Sequence, residues 1–473
     1  MFLRSEKAPF DSMHEECGVF GVYSSETRNV AYTVYYGLYA LQHRGQESCG
    51  IAVSYNDKMD YYKGMGLVSE VFSSGKLEAL PEGDIAIGHV RYSTTGASHL
   101  LNAQPIVFTG KCGKTAVAHN GNLVNTKSLR DELISDNAVF QTTIDSEVIA
   151  YMINKYSDGD ILTGIKRACA KFRGSYCLVV MTTNQLVAVR DPYGIRPMVL
   201  GKSLDDYIVA SETCALDAVG ATYIRDLKPG EILVIDSNGL TSYFMDDVPK
   251  KSASCIFELV YFARADSVMD GQSVYDARKM AGKILAEKYG VEADIVSGVP
   301  DSAVVAARGY SEASGIPYVE ALAKNRYVGR TFIQPDQAMR ENVLNVKMNA
   351  LRNNIQGKRL IIIDDSIVRG TTSKKIVRML REAGAKEVHV RICSPIIKHP
   401  CHLGIDMQTY NQLIGAYRNE EQIAKVIGAD SIRYLSIEDL VETCKCSNLD
   451  FCLGCFNGQY PYPSEETDKY KLE

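Results

Sequence analysis

Residues 359–372 read RLIIIDDSIVRGTT, and no other stretch limits the possible folds of this chain as tightly. Leu360, Ile361, Ile362 and Ile363 have the length and β-branched content of a buried strand. Beyond the turn, Ile376, Val377, Leu380 and Ala383 recur at helical spacing, and Gly384 supplies the stop. The segment is therefore strand, turn and helix, one unit of an open α/β sheet in which ligands sit at the carboxyl ends of strands. A turn of this kind points the backbone N–H groups of Arg369, Gly370, Thr371 and Thr372 outward, where the helix dipole adds to their attraction for a phosphate. Asp364 and Asp365 bring the opposite charge. Two carboxylates at a strand end suit ribose hydroxyls and a hydrated Mg²⁺, which shares its shell with substrate and water. Alone, an Asp-Asp pair would only open a solvated loop; the whole pattern predicts a site for a phosphorylated sugar.

The segment resembles the signature of the type I phosphoribosyltransferases, which bind 5-phosphoribosyl-1-diphosphate (PRPP). The resemblance assigns PRPP binding to Asp364, Asp365, Ser366, Arg369, Gly370, Thr371 and Thr372. It also makes GVPDS (298–302) a pyrophosphate loop, with Ser302 joining Asp364 and Asp365 around one Mg²⁺ per subunit. KNRYVGRTFIQ (324–334) resembles the mobile loop that closes over PRPP and shuts out water. By composition alone that segment is a solvated surface loop.

A length of 473 residues allows two or three domains, and a net charge of −5 offers no basic stripe for nucleic acid, so an enzyme acting on small molecules is expected. The first sixteen residues lack an apolar core region and no stretch approaches a membrane span, which predicts a cytoplasmic protein with no membrane partner. Thirteen cysteines in such a chain should stay reduced, some catalytic or metal-binding and many simply small core residues.

Up to about residue 242, short β-rich runs such as CGVFGVY, IAIGHVRYS, TAVAHNG, CLVVMTT and EILVIDS alternate with turn signals. Helical stretches at 32–41 and 146–156 would cover the sheets of a layered α+β domain. A polar break at 246–254 follows. ADIVSGV, RLIIIDD and EVHVRIC then alternate with helices near 275–287, 302–314 and 373–383, an α/β pattern. No repeat or low-complexity segment interrupts either half, and the tail 460–473 is polar and expected to fray.

Cys17 opens CGVFGVY. A Cys in that place is usually a buried core residue, but LQHRGQES (41–48), GHVRYSTTG (88–96), AHNGNL (118–123) and DSE (145–147) follow it in an order that resembles the class II glutamine amidotransferases. Those are N-terminal-nucleophile hydrolases with an αββα sandwich, whose first Cys uses its own α-amino group as base. The chemistry is sound, since an α-amino group titrates at about 7.7–8 and a thiol at about 8.5, whereas an amide cannot accept the proton. The resemblance makes residues 1–16 a propeptide and Cys17 the nucleophile. Asn120 and the N–H of Gly121 become the oxyanion donors, and Arg91 and Asp145 the grips on the carboxylate and amino groups of glutamine. His89 and His119 each lie in a β-run beside a matched residue and read as structural hydrogen-bonders.

Cys452 and Cys455 in FCLGCFNG have metal-ligand spacing, with Gly454 and Gly458 letting the backbone fold around a bulky centre. On spacing alone a structural zinc competes with an iron-sulfur cluster. Cys255 in SCIFELVYFARADS and Cys401 in KHPCHLGID lie in segments that resemble those carrying the other ligands in the iron-sulfur branch of the amidophosphoribosyltransferases, which implies one 4Fe-4S cluster per subunit. Cys444 and Cys446 stay open as substitutes, and Cys393 reads as a core strand residue.

Glutaminase half before PRPP half is the arrangement of the amidophosphoribosyltransferase family, and the resemblance runs from Cys17 to Tyr460. It implies a glutaminase domain at 17–248, a phosphoribosyltransferase domain with an iron-sulfur segment at 249–473, and ammonia passing internally from one to the other. It further implies purine nucleotide inhibitors and a homotetramer, neither of which the residues themselves show. Where the family usually has Pro, this chain has Ala265, which loosens one turn without touching a proposed ligand. Two rivals fare worse. A nucleic-acid-binding regulator has no use for a glutaminase site, and the synthase of glucosamine phosphate would carry sugar-isomerase repeats and no PRPP signature.

Overall fold

The computed structural model describes residues 17–73, 75–92, 98–325, 348–407 and 409–463. The expected propeptide, residues 93–96 of GHVRYSTTG, residues 326–334 of the loop expected to close over PRPP, and the last ten residues of the tail lie outside the described residues.

The first half is built on strands β1 (Gly18–Arg28), β2 (Gly83–Arg91), β3 (Gly113–Leu123) and β4 (Gly174–Met181), with helices α1 (Val30–Ala40) and α2 (Asp145–Tyr156). β1 and β2 are central in a seven-stranded sheet, and β3 and β4 are inner strands of a six-stranded one. All pairings of the two sheets are antiparallel. Alternate residues explain the layering. Val19, Ile85, Ile87, Ala116, Ala118, Cys177 and Val179 fill the space between the sheets. Phe20, Val22, Ala86 and Val90 face the other way, onto α1. The outer face of the second sheet packs on α2 and on a helix at Ile161–Cys169 through Leu178, Val180, Val148 and Ile165. Each such side chain contributes about 1.5–3 kcal/mol when fully buried. The sheets approach so closely at Gly21 that a Cβ there would lie 2.8 Å from Val179 Cγ1. The result is the αββα sandwich expected for this half.

The second half holds a four-stranded parallel sheet, β5 (Ile295–Gly298), β6 (Arg359–Asp364), β7 (Glu387–Ile392) and β8 (Ser431–Tyr434), in that spatial order. Helices α3 (Val274–Tyr289), α4 (Val304–Ser314) and α5 (Thr371–Glu382) accompany it. α3 and α4 cross in backbone contact because Gly282 faces the Ala306 carbonyl and Gly309 faces that of Lys279, where any side chain would collide. Strand β8 escaped the sequence reading, since SIRY is short and half polar. Among the described residues no helix is long and apolar enough to cross a membrane.

The segment that follows the sandwich lies against it, with the Ala253 and Cys255 N–H groups donating to the Tyr193 and Ile195 carbonyls at 2.8 and 3.0 Å. Ser254 and Cys255 pair in parallel with Phe451 and Cys452, so the chain's late segment lies alongside the segment that joins the two domains.

Candidate active sites

Cys17 sits at the head of β1, 8% exposed, its thiol donating to the Tyr92 carbonyl at 3.4 Å. Burial is the largest influence on it and pushes the thiol up to about 11, against the pull of the Tyr92 carbonyl contact and the Arg91 guanidinium. Glu47 and Asp145 add smaller upward pushes, so both lie in the electrostatic neighbourhood of the thiol. Arg91, at the end of β2, is buried and donates to Glu47 at 2.6 Å. Asp145 opens α2 and accepts the Leu123 N–H at 3.1 Å. Burial raises its carboxyl, but His119 at 3.4 Å, the Leu123 N–H and Ser146 outweigh that and hold it below the usual range.

Asn120 comes from β3. Its side-chain Nδ2 is buried and has no hydrogen-bond partner among the described residues. A buried amide donor left unpaired costs about 1–3 kcal/mol, which is the expected condition of a donor reserved for an oxygen that arrives during reaction. Gly121 follows with φ +147°, where a Cβ would run into the Ser175 carbonyl of β4. His89 is fully buried and bonds the His119 carbonyl through Nε2 at 2.9 Å, and burial drives its imidazole down to about 3. It is a neutral hydrogen-bonder at any physiological pH.

At the second site, β6 delivers Asp364 and Asp365 to the carboxyl edge of the parallel sheet. The Asp365 N–H donates to Asp364 Oδ1 at 3.0 Å, Ser366 Oγ to Asp365 Oδ1 at 2.6 Å, and Ser302 Oγ to Asp365 Oδ2. Ser302 lies on the turn after β5, which the Val299 N–H ties to the Ile363 carbonyl at 2.8 Å. Burial raises the Asp365 carboxyl, and the two hydroxyls and the Arg278 charge only partly offset it. An oxygen-only donor set with a buried carboxylate fits Mg²⁺, which needs one or two carboxylates and fills its shell from substrate. Gly370 caps the start of α5 from the left-handed region, φ +82°.

The cysteines form the third cluster. Cys255 and Cys452 face each other across the parallel bridge. Burial first, then the Cys401, Cys452 and Cys255 thiols, push Cys455 well above its ordinary value. Cys452 is pushed up to about 12, by burial foremost. Thiols gathered in so dry a place fit a cationic centre that would take their protons. Among the described residues no three His, Cys, Asp or Glu stand together as a group that could hold a metal ion. Cys444 is held beside Thr443 at 3.2 Å, and Cys446 is exposed on a turn. Cys393 neighbours Asp364 and Asp365.

Sequence reasoning missed the partners that fix these groups. Glu47 and Arg44 stand inside LQHRGQES, but only the fold shows that Glu47 holds Arg91 and that Arg44 bonds the Cys17 carbonyl at 3.2 Å. Arg278, beneath the carboxylate pair, had no signal beyond an arginine on the buried face of a helix.

An αββα sandwich with a buried thiol at the head of its first strand, followed by a parallel sheet with paired carboxylates at its carboxyl edge, is the architecture of a glutamine amidotransferase joined to a phosphoribosyltransferase. Residues 89–218 match the glutamine amidotransferase domain family and residues 265–410 the phosphoribosyl transferase domain family. The chain is 49% identical over 469 residues to the amidophosphoribosyltransferase of Synechococcus elongatus, covering 98% of this chain and 94% of that one. It is similar, with TM-score 0.89 and 46% identity, to the glutamine PRPP amidotransferase from Bacillus subtilis complexed with ADP and GMP, over 97% and 100% of the two chains. A structure described as the allosteric regulatory enzyme of purine biosynthesis matches equally, with TM-score 0.89 at 46% identity over 96% and 98%. The chain belongs to the amidophosphoribosyltransferase family.

Proposed function

We propose that this enzyme hydrolyses glutamine at Cys17 and uses the ammonia, passed internally, to displace pyrophosphate from C1 of PRPP, giving 5-phosphoribosylamine and opening purine synthesis. The observation that carries the reading is Asn120 Nδ2, a buried donor with no partner among the described residues, on the strand whose adjacent His119 pairs with Asp145, a charge that the buried Cys17 thiol feels. Removal of residues 1–16 would turn the Cys17 amide nitrogen into an amine able to take the thiol proton. The thiolate attacks the glutamine amide carbon, Asn120 and the Gly121 N–H receive the developing oxyanion, and the amine returns its proton to the departing ammonia. Water then releases glutamate. Arg91 and Asp145 hold the two ends of the amino acid.

At the second site, Ser302, Asp364 and Asp365 would hold one Mg²⁺, which when bound neutralises the pyrophosphate that departs. The turn that leads into α5, from Arg369 to Thr372, would carry the 5-phosphate with Ser366 beside it. Internal passage matters because ammonia is mostly ammonium at neutral pH and ammonium is not a nucleophile. Cys255, Cys401, Cys452 and Cys455 would hold a 4Fe-4S cluster as a structural tie. ADP and GMP in the Bacillus complex support purine nucleotides as inhibitors. A homotetramer in the cytoplasm completes the reading. Incubation with PRPP, Mg²⁺ and glutamine should release pyrophosphate and glutamate together; glutamate without pyrophosphate would reduce the protein to a glutaminase.

A further inference from the structure

Arg44 is 1% exposed, and its guanidinium is divided among three parts of the chain. Nε donates to the Cys17 carbonyl at 3.2 Å. Nη1 donates to Glu212 at 2.5 Å and to Glu258 at 3.0 Å, and Nη2 to Glu258 at 2.6 Å. Glu212 belongs to the sandwich, whereas Glu258 belongs to the other domain and is itself 2% exposed. Such a bidentate pair, out of water, has one geometry. It also decides where the carbonyl of Cys17 sits, one bond from the Cα that carries the thiol.

Glu258 is not placed at random in its domain. It begins a single π-helical turn, Glu258–Phe262, an irregularity frequent at functional positions. The carbonyls at Leu259 and Ala263 are clamped by Arg278, at 3.0 and 2.8 Å, and Arg278 lies in the field of Asp365. The same stretch returns to the sandwich a few residues later, where the Arg264 N–H and the Ser267 hydroxyl donate to Glu212 at 3.0 and 2.7 Å.

We infer that Glu258, supplied by the phosphoribosyltransferase domain, is a positioning residue for the Cys17 nucleophile of the other domain, acting through Arg44. The inference rests on Cys17 being that nucleophile. Its consequence is that glutamine chemistry depends on how residues 258–267 are seated, while chemistry at the PRPP site does not depend on Glu258.

The test compares Glu258→Gln, Arg44→Lys and the double variant in the mature, full-length enzyme. Gln keeps the size and one acceptor, so the interface should still assemble. In Glu258→Gln, kcat for glutamine hydrolysis should fall about tenfold or more, since small misplacements of a reacting group cost up to about a hundredfold. KM for glutamine and ammonia-dependent pyrophosphate release should change less than about twofold, and in the double variant the two losses should be far from additive. Rescue of part of kcat by Glu258→Asp would agree. An unchanged glutamine kcat in Glu258→Gln, or equal loss of both activities, would overturn the inference. Cys17→Ala, run alongside, separates the two ideas: if it still hydrolyses glutamine, the nucleophile assignment itself has failed.

Discussion

Burial holds the Cys17 thiol near 11, so at neutral pH it must surrender its proton during the reaction and not before. The rate should then follow the base. If the base is the α-amine freed at residue 17, glutamine hydrolysis should rise with pH and level off above about 7.7–8, the amine's own range, instead of climbing toward the thiol's. A kcat/KM profile between pH 6 and 9 measures this, and a limb still rising at pH 9 would contradict it. Asn120→Ala should lower glutamine kcat by about 10²–10³-fold. Because Nδ2 has no partner among the described residues to lose, the melting temperature should fall far less than the activity. Motifs name Cys17, Asn120, Gly121, Arg91 and Asp145 as candidates in the sequence itself. Arg44, Glu212 and Glu258 show no such signal, because buried ion pairs between residues 168 and 214 positions apart leave no local pattern.

Among the elements, β6 and α5 were readable nearly to their ends, since four apolar residues in a row and a 3.6-residue periodicity are strong local signals. The helix begins at Thr371, two residues before the expected start at 373 and five before its first apolar position, Ile376. Gly370 reaches φ +82°, and this turn sets the start of the helix where hydrophobic spacing does not. Gly370→Ala should cost about 1–2 kcal/mol in stability. Its Cβ would also press on Ile414 Cδ1 at 2.7 Å, a side-chain tip that can yield. PRPP affinity should drop more than stability does, because the phosphate-facing turn is what shifts; titration calorimetry with Mg-PRPP checks this. Helices at Thr126–Ser135 and Ile161–Cys169 went unread because the alternation of the flanking strands dominated the surrounding pattern.

The whole molecule depends on charges buried where its domains meet. Burial works against ionisation of Glu212, yet His43 and Arg44 hold its carboxyl well below the usual range. A depressed carboxyl stabilises the fold above its unfolded value, about 4.3, and that contribution is lost as pH falls below it. Thermal melts from pH 7 to pH 3 should therefore drop steeply on the acid side, and Glu212→Gln, though less stable at pH 7, should show a shallower acid slope. Serine at Cys255, Cys401, Cys452 or Cys455 should remove iron and sulfide from the purified protein and lower its melting temperature, whereas changes at Cys444, Cys446 or Cys393 should spare the metal. Stoichiometric zinc without sulfide would reject the cluster. The pairing of Ser254–Cys255 with Phe451–Cys452 also sets an order in time. A ribosome adds about 5–20 residues each second, so the linker strand emerges roughly 10–40 s before the partner it must pair with. Throughout that interval the sandwich can be finished while the seam beside it stands open, waiting for a strand that translation has yet to reach.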